Sequence, residues 1–264
     1  MAIGFSFSPG GLLLLYHVGA LASLQHEGYV PDTTPLAGSS AGSIAVVSHG
    51  CGLKPETILE ATIAVSDQCE KMGSAQGNLL PLLENFMNDL IDNDRFEQFQ
   101  SRTGPIGVAY RELFPRNQPI LQTSFQDKAE LIESTLNSCM FPFFSTPWPC
   151  RIDRYGTGTM GIPRVVVDGY FTVPRDRLGC PDFAMANVPV DRTITVSCFP
   201  HERIGLTASL PENRIGPSEE YDLGKLLGIA TEFSSRPLLT EMYELGWQDA
   251  ETWCRQEDGQ QQMN

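Results

Sequence analysis

Three short stretches of this sequence carry residue types that could do chemistry together. Gly38-Ser39-Ser40-Ala41-Gly42 fits the pattern G-x-S-x-G, which can set a serine on a sharp strand-to-helix turn. Acyl transfer needs such an exposed hydroxyl, a base within reach, and N–H donors for the oxyanion that develops. Ser40 is the candidate nucleophile and Ser39 a spacer. Gly38 and Gly42 would admit neighbouring backbone where a Cβ would clash. The same five residues also describe an ordinary Gly/Ser connection, so the motif does not decide by itself.

The second stretch is "FSPGGLL". Gly10 and Gly11 follow a strand-like run and precede a helix-like one, where free N–H groups can form an anion nest. An ordinary β-to-α turn reads the same way. The third is "RVVVDGYF". Asp168 ends an all-valine run, so its carboxylate is partly desolvated and favours a donor such as a serine hydroxyl. Gly169 removes the side chain that would block a close approach, although Asp-Gly is also a frequent turn dipeptide.

The surrounding elements must bring these stretches together. The pattern predicts a buried strand over Ile3 to Phe7, a glycine turn and a buried helix. A second strand ends near Ala37, and a helix starts directly behind Ser40. Helical spacing predicts helices over 54–72 and 79–100, and Asp127 caps another that runs to about Cys139. Strands are expected at "IGVAYREL", "PILQTSF", "RVVVDGYF" and "RTITVSCF", with a loop over "RDRLGCPDFAMANVPV". From Ser218 the chain turns helical, is interrupted at Pro237, and resumes. Alternating strands and helices point to an α/β three-layer sandwich with a mostly parallel central sheet. Such sheets place their sites at C-terminal strand ends. One domain over residues 1–255 is expected, with 256–264 a polar, frayed and disordered tail.

Composition narrows the function classes. The chain has 264 residues, 41% hydrophobic, with 32 acidic against 18 basic side chains and a net charge of −14. That charge repels phosphate backbones and anionic membranes and argues against a nucleic-acid role, but does not oppose an uncharged lipid surface. Seven scattered cysteines without a C-x-x-C pair, and no N-x-[ST] acceptor, suggest reduced thiols in an intracellular compartment. The spacing matches no metal site. The apolar start lacks a basic n-region and is broken by Gly10-Gly11, so it reads as strand and helix rather than as a signal or spanning segment.

Other features carry less. "GTGTMG", Gly156 to Gly161, matches G-x-G-x-x-G but has a strand after it rather than a helix, so a dinucleotide site is rejected. His17 and His49 fall in apolar helical stretches and read as packed histidines. The order Ser40, Asp168, His201 matches an α/β-hydrolase triad, but those enzymes place several strands before the serine and at most two fit here. "MFPFFSTPWP" reads either as a lipid-touching or acyl-lining loop or as part of the core.

Taken together, "GFSFSPGGLLLLYHVGALASL", "LAGSSAGSIAVV" and "RVVVDGYF" resemble the patatin-like phospholipase family, closest to its adipose triglyceride lipase-like branch. "DKAELIESTLNSCMFP", "TITVSCFP" and "MYELGWQDAETW" extend the resemblance over about residues 3–255. It implies a patatin-like fold and a Ser–Asp dyad without metal or cofactor. Ser40 would attack an ester, Asp168 would orient and deprotonate it, and the Gly10 and Gly11 N–H groups would hold the oxyanion. Long-chain esters are the implied substrates, triacylglycerol first and glycerophospholipid or galactolipid next, with peripheral contact at a lipid droplet or membrane. The chain departs from the family pattern at Pro9, where a third glycine is usual, at Leu14, where a glycine is usual, and at Tyr170. Pro9 has no N–H to donate, so a weakly active or inactive lipid-binding scaffold is the alternative.

Overall fold

The computed structural model describes residues 2–157 and 162–263. In chain order the elements are β1 (Ile3–Phe7), α1 (Leu14–His26), β2 (Leu36–Ser39), α2 (Ala41–Gly50), α3 (Pro55–Met72), α4 (Leu79–Leu90), α5 (Asn93–Ser101), β3 (Ile106–Phe114), β4 (Gln118–Gln122), α6 (Lys128–Ser138), β5 (Arg151–Thr157), β6 (Pro163–Val167), β7 (Arg192–Val196), β8 (Arg214–Ile215), α7 (Leu223–Thr231) and α8 (Arg236–Met263).

The sheet has the order β5-β6-β3-β2-β1-β7-β8, with β4 also paired to β3. β1 runs parallel to β2 and β7, β2 to β3, and β7 to β8. β4 and β6 pair antiparallel with β3, and β5 antiparallel with β6. The sheet is therefore mostly parallel through its centre and antiparallel on one flank.

The register at β3 matters most for the site. Ser39 of β2 pairs with Ala109, and Val167 of β6 pairs with Arg111. β4 occupies the other edge of β3 at both levels. So β2 and β6 approach head-on along one edge of β3, and each stops where the other begins. Asp168 reaches the same place as Ser40 because its strand comes from the opposite direction, not because the two strands are parallel.

Alternation along β1 sorts the layers. Phe5 and Phe7 face the helical side, where Phe5 meets Trp253 of α8 edge-on at 5.8 Å and Phe7 meets His17 of α1 at 5.7 Å. On the opposite face Ser6 Oγ donates to the Pro181 carbonyl at 2.7 Å, and Phe183 covers Ala37 and Ala109. That third layer is the segment expected as a loop, and it carries two short 3-10 turns, Arg175–Arg177 and Phe183–Ala186.

Several boundaries differ from expectation for physical reasons. The single helix expected over 79–100 is two: α4 stops at Leu90, and Asp92 caps α5 by accepting the Arg95 N–H at 2.9 Å. The interruption expected at Pro237 lies just before it: α7 ends at Thr231, α8 starts at Arg236, and Pro237 sits in the first turn of α8, where a missing N–H costs nothing. The tail expected to be disordered continues α8 to Met263, and buried Glu257 accepts from Arg192 Nη1 at 2.6 Å. β5 escaped notice because its pattern is inverted: Ile152 is exposed while Asp153 is buried against Arg164.

Candidate active site

Ser40 joins β2 to α2 with φ 52° and ψ −122°, a backbone state that costs a non-glycine residue about 1–3 kcal/mol. The fold holds it there from several sides. The Ser40 N–H donates to Ser138 Oγ at 2.8 Å. Its carbonyl accepts the N–H groups of Ser43 and Ile44 at 2.9 and 3.1 Å, and Ser43 Oγ at 2.6 Å. The sharp turn works only because Gly38 and Gly42 touch: a Cβ on Gly38 would strike the Gly42 backbone, and one on Gly42 would lie 2.6 Å from the Phe7 carbonyl oxygen. Ser39 is buried and donates to the Gly179 carbonyl at 2.6 Å, so it anchors β2 to the third layer and is not free to react.

Asp168 is fully buried at the end of β6. Its N–H donates to the Met140 carbonyl at 2.9 Å, and its Oδ1 accepts the Tyr170 N–H at 2.8 Å. Burial pushes its carboxyl up to about 7, opposed by the Tyr170 N–H and the Ser40 hydroxyl, which both favour the ionised form. Oδ2 is buried without a hydrogen-bond partner. The Ser40 hydroxyl is thus near enough to influence the carboxylate without completing a hydrogen bond to Oδ2, and apo geometry of this looser kind is common at reacting pairs. Gly169 lets the turn close, since a Cβ there would lie 2.7 Å from Ser39 Oγ.

The glycine loop lies beside this pair. Gly10 and Gly11 lead into a 3-10 turn ahead of α1, and Gly11 has φ 56°. Neither the Gly10 nor the Gly11 N–H meets an acceptor among the described residues. Pro9, which lacks a donor, presents its carbonyl inward to Ser8 Oγ at 2.9 Å and Cys198 Sγ at 3.5 Å, while its ring packs on Gly179. His17 stands 3.5 Å from Ser8 Oγ, and burial lowers it to about 4, so it is neutral at physiological pH.

Ser40, Gly10, Gly11, Pro9 and Leu14 all open on one cavity of about 510 Å³. Its walls are almost wholly apolar: Ile58, Ala61 and Val65 of α3, Leu80, Leu83 and Met87 of α4, Phe141, Phe144 and Tyr170. Asp168 is buried and does not line this cavity. Among the described residues no group of three or more His, Cys, Asp or Glu side chains is placed to hold a metal ion.

His201 is not brought to this site. It is buried against Gly216 beyond β7 and β8, lowered to about 4 by burial and by Arg214, and does not line the cavity. The triad order in the sequence is therefore not a triad in space. Residues 158–161 of the glycine-rich "GTGTMG" lie outside the described residues. Sequence reasoning missed Ser138 and Cys139, which close α6 against the elbow. Burial first, and the Asp168 charge after it, push the Cys139 thiol up, and the hydroxyls of Ser43 and Ser40 oppose this. Buried polar residues at the end of a helix were the available signal, visible only once α6 is packed.

The patatin-like phospholipase family model matches residues 5–191. The Mus musculus protein 1-acylglycerol-3-phosphate O-acyltransferase Pnpla3 is 27% identical over 180 residues, 64% of this chain and 42% of that protein. The chain therefore spans less than half the length of that curated relative. VipD from Legionella pneumophila has a TM-score of 0.50 at 10% identity, over 97% of this chain and 67% of that one. ExoU in the ExoU–SpcU complex of Pseudomonas aeruginosa has a TM-score of 0.51 at 14% identity, over 97% and 51%. At these identities the solved structures speak to the fold.

Proposed function

The chain belongs to the patatin-like phospholipase family, and from that premise we propose that it is a serine lipid acyl hydrolase working through a Ser40–Asp168 dyad. The observation that carries this reading is the head-on meeting of β2 and β6, which sets a strained, cavity-facing serine against a buried carboxylate. Asp168 Oδ2 takes the Ser40 hydroxyl proton as Ser40 Oγ attacks the ester carbonyl carbon. The oxyanion is received by the Gly10 and Gly11 N–H groups, with the N-terminus of α2 adding partial positive charge. Collapse expels the alcohol, which takes the proton from Asp168 and leaves an acyl-Ser40 ester. Asp168 then takes a proton from water as the water attacks this ester, and returns it to the departing Ser40 Oγ, which releases the fatty acid and restores the dyad.

The apolar walls suit a long acyl chain and offer nothing to pair with a charged headgroup inside the cavity. Pro9 does not argue for an inert scaffold, because its carbonyl points away and two other N–H groups remain free. Triacylglycerol or glycerophospholipid would supply the ester. An alcohol replacing water at the second step would make the same intermediate an acyl donor, the activity named for Pnpla3.

A serine-directed fluorophosphonate probe should label the wild type and not Ser40→Ala. Asp168→Asn should abolish ester hydrolysis, whereas His201→Ala should retain it. Unlabelled, correctly folded wild type would sink the enzyme reading and leave a lipid-binding scaffold. A lipid-class panel, run with and without a lysophosphatidic acid acceptor, then separates hydrolysis from acyl transfer.

A further inference from the structure

We propose that the loop between α6 and β5 is a rigid docking surface for lipid aggregates that carry no net charge, with Phe143 and Trp148 as the inserted side chains. The proposal rests on the lipid acyl hydrolase reading for its purpose, since it concerns how the same cavity meets its substrate phase.

Four observations converge on this loop. First, Phe143 and Trp148 are 60% and 68% exposed, among the largest exposures of any aromatic side chain described. Phe143 also has φ 60°, a left-handed state that a bulky residue adopts at a cost. A backbone held in that state to point a phenyl ring outward is poor core design and good interface design.

Second, the tips are fixed. The Phe143 N–H donates to the Trp148 carbonyl at 3.1 Å, and Gln76 Nε2 donates to the Phe143 carbonyl at 3.0 Å. Gly77 and Leu80 donate their N–H groups to the carbonyls of Phe144 and Ser145 at 2.5 and 3.0 Å. The loop backbone therefore need not be ordered on binding, which removes a cost that flexible loops carry.

Third, the loop is continuous with the cavity. Phe141 and Phe144 line it, and Phe141 packs on Phe171 and Tyr170 with centroids 5.6 and 6.1 Å apart. The loop that carries the outer tips therefore also supplies part of the wall of the chamber where Ser40 opens.

Fourth, charge selects the surface. No charged side chain lies between Leu136 and Cys150, while the chain carries −14 overall. A cationic loop would have pointed to anionic lipid. An uncharged loop on an acidic molecule favours zwitterionic or neutral lipid instead, because an anionic surface repels the rest of the protein. Tryptophan is well suited to such an interface, with an apolar body and one N–H for the wet side.

The test is flotation of the full chain with phosphatidylcholine vesicles, wild type beside Phe143→Ser/Trp148→Ser. Neither residue lines the cavity, so both proteins should hydrolyse a soluble short-chain ester alike. Wild type should float, and the double variant should bind at least about tenfold more weakly, as expected from two large apolar side chains left in water. Adding phosphatidylserine should weaken wild-type binding. A second readout guards against misfolding: vesicles should shift wild-type tryptophan emission to the blue, and Trp148→Phe should float but lose that shift. Wild type that stays in solution, or a double variant that floats equally well, overturns the proposal. Concentration-dependent self-association abolished by the double variant, without vesicle binding, would assign the surface to a second copy instead. Loss of soluble-ester hydrolysis in wild type would count against the enzyme reading and leave the flotation result standing.

Discussion

The Ser138 hydroxyl accepts the Ser40 backbone N–H at 2.8 Å, so the last residue of α6 pins the strained turn that ends β2. Ser138 is itself buried, and the next residue, Cys139, lines the cavity beside Ser40. A buried N–H left without an acceptor costs about 1–3 kcal/mol, and here the cost falls on a residue already in an unfavourable backbone state. Ser138 is a positioning residue. Ser138→Ala should lower kcat by about tenfold with little change in KM, and reduce stability by about 1–2 kcal/mol. Steady-state kinetics on a soluble ester beside a urea melt would check both. A change confined to stability would mean that the hydrogen bond serves the fold and not the turn.

The ionisation of Asp168 should govern the acid limb of the rate. Burial holds the carboxyl at about 7 and only the ionised form can accept the Ser40 proton. kcat/KM should therefore fall about tenfold per pH unit below neutrality and level off above about pH 8. His17 and His201 are both lowered to about 4 and stay neutral throughout this range, so neither contributes the limb. A profile that bends near pH 4 instead would place an unperturbed carboxylate, or a histidine such as these, in control.

The same burial has a consequence for stability. Asp168 ionises near its ordinary 3.8 when unfolded and at about 7 when folded. Between those values the unfolded chain has lost the proton and the native state has not, so rising pH destabilises the fold. Above about pH 7 both states are ionised, and the full cost of up to about 4 kcal/mol persists. Asp168→Asn buries no charge. Its unfolding free energy should exceed that of wild type at pH 8, and the difference should shrink towards zero near pH 4. Denaturant melts at the two pH values measure this directly. An inactive variant that is also more stable is the signature of a strained functional carboxylate; equal loss of activity and stability would argue for a structural one.

How far these features could be read from the sequence depends on what each requires. The elbow, the glycine turn and the aspartate turn were legible because each is local: short runs of small residues between strand and helix patterns. The direction of β6 was not, because a valine-rich run looks the same parallel or antiparallel, and only its register with β3 shows that it meets β2 head-on. Ser138 was invisible for a similar reason, since a serine at a helix end usually faces water. β5 was hidden by its buried ion pairs, Arg151 with Glu133 and Asp153 with Arg164, which put charge where the pattern expects apolar residues. His201 shows the opposite failure: chain order suggested a partner that the third dimension does not supply.

Gly11 offers the sharpest test of the loop proposed to receive the oxyanion. It combines φ 56° with a close approach to α7, where a Cβ would collide with the Ala230 carbonyl oxygen. Gly11→Ala must either push α7 away or rotate the loop, and rotation takes the Gly10 and Gly11 N–H groups off the cavity. Losing one such donor typically lowers kcat by 100-fold or more (~10²–10³). Gly28 provides the control, with φ 82° and open space around its Cβ. Gly28→Ala carries the left-handed backbone penalty of about 1 kcal/mol without the collision. Gly28→Ala should lose stability and keep its activity, while Gly11→Ala should lose both. Parallel thermal melts and soluble-ester kinetics on the two variants check this. Equal activity in the two would detach the glycine loop from catalysis, because backbone strain alone would then account for every effect at Gly11.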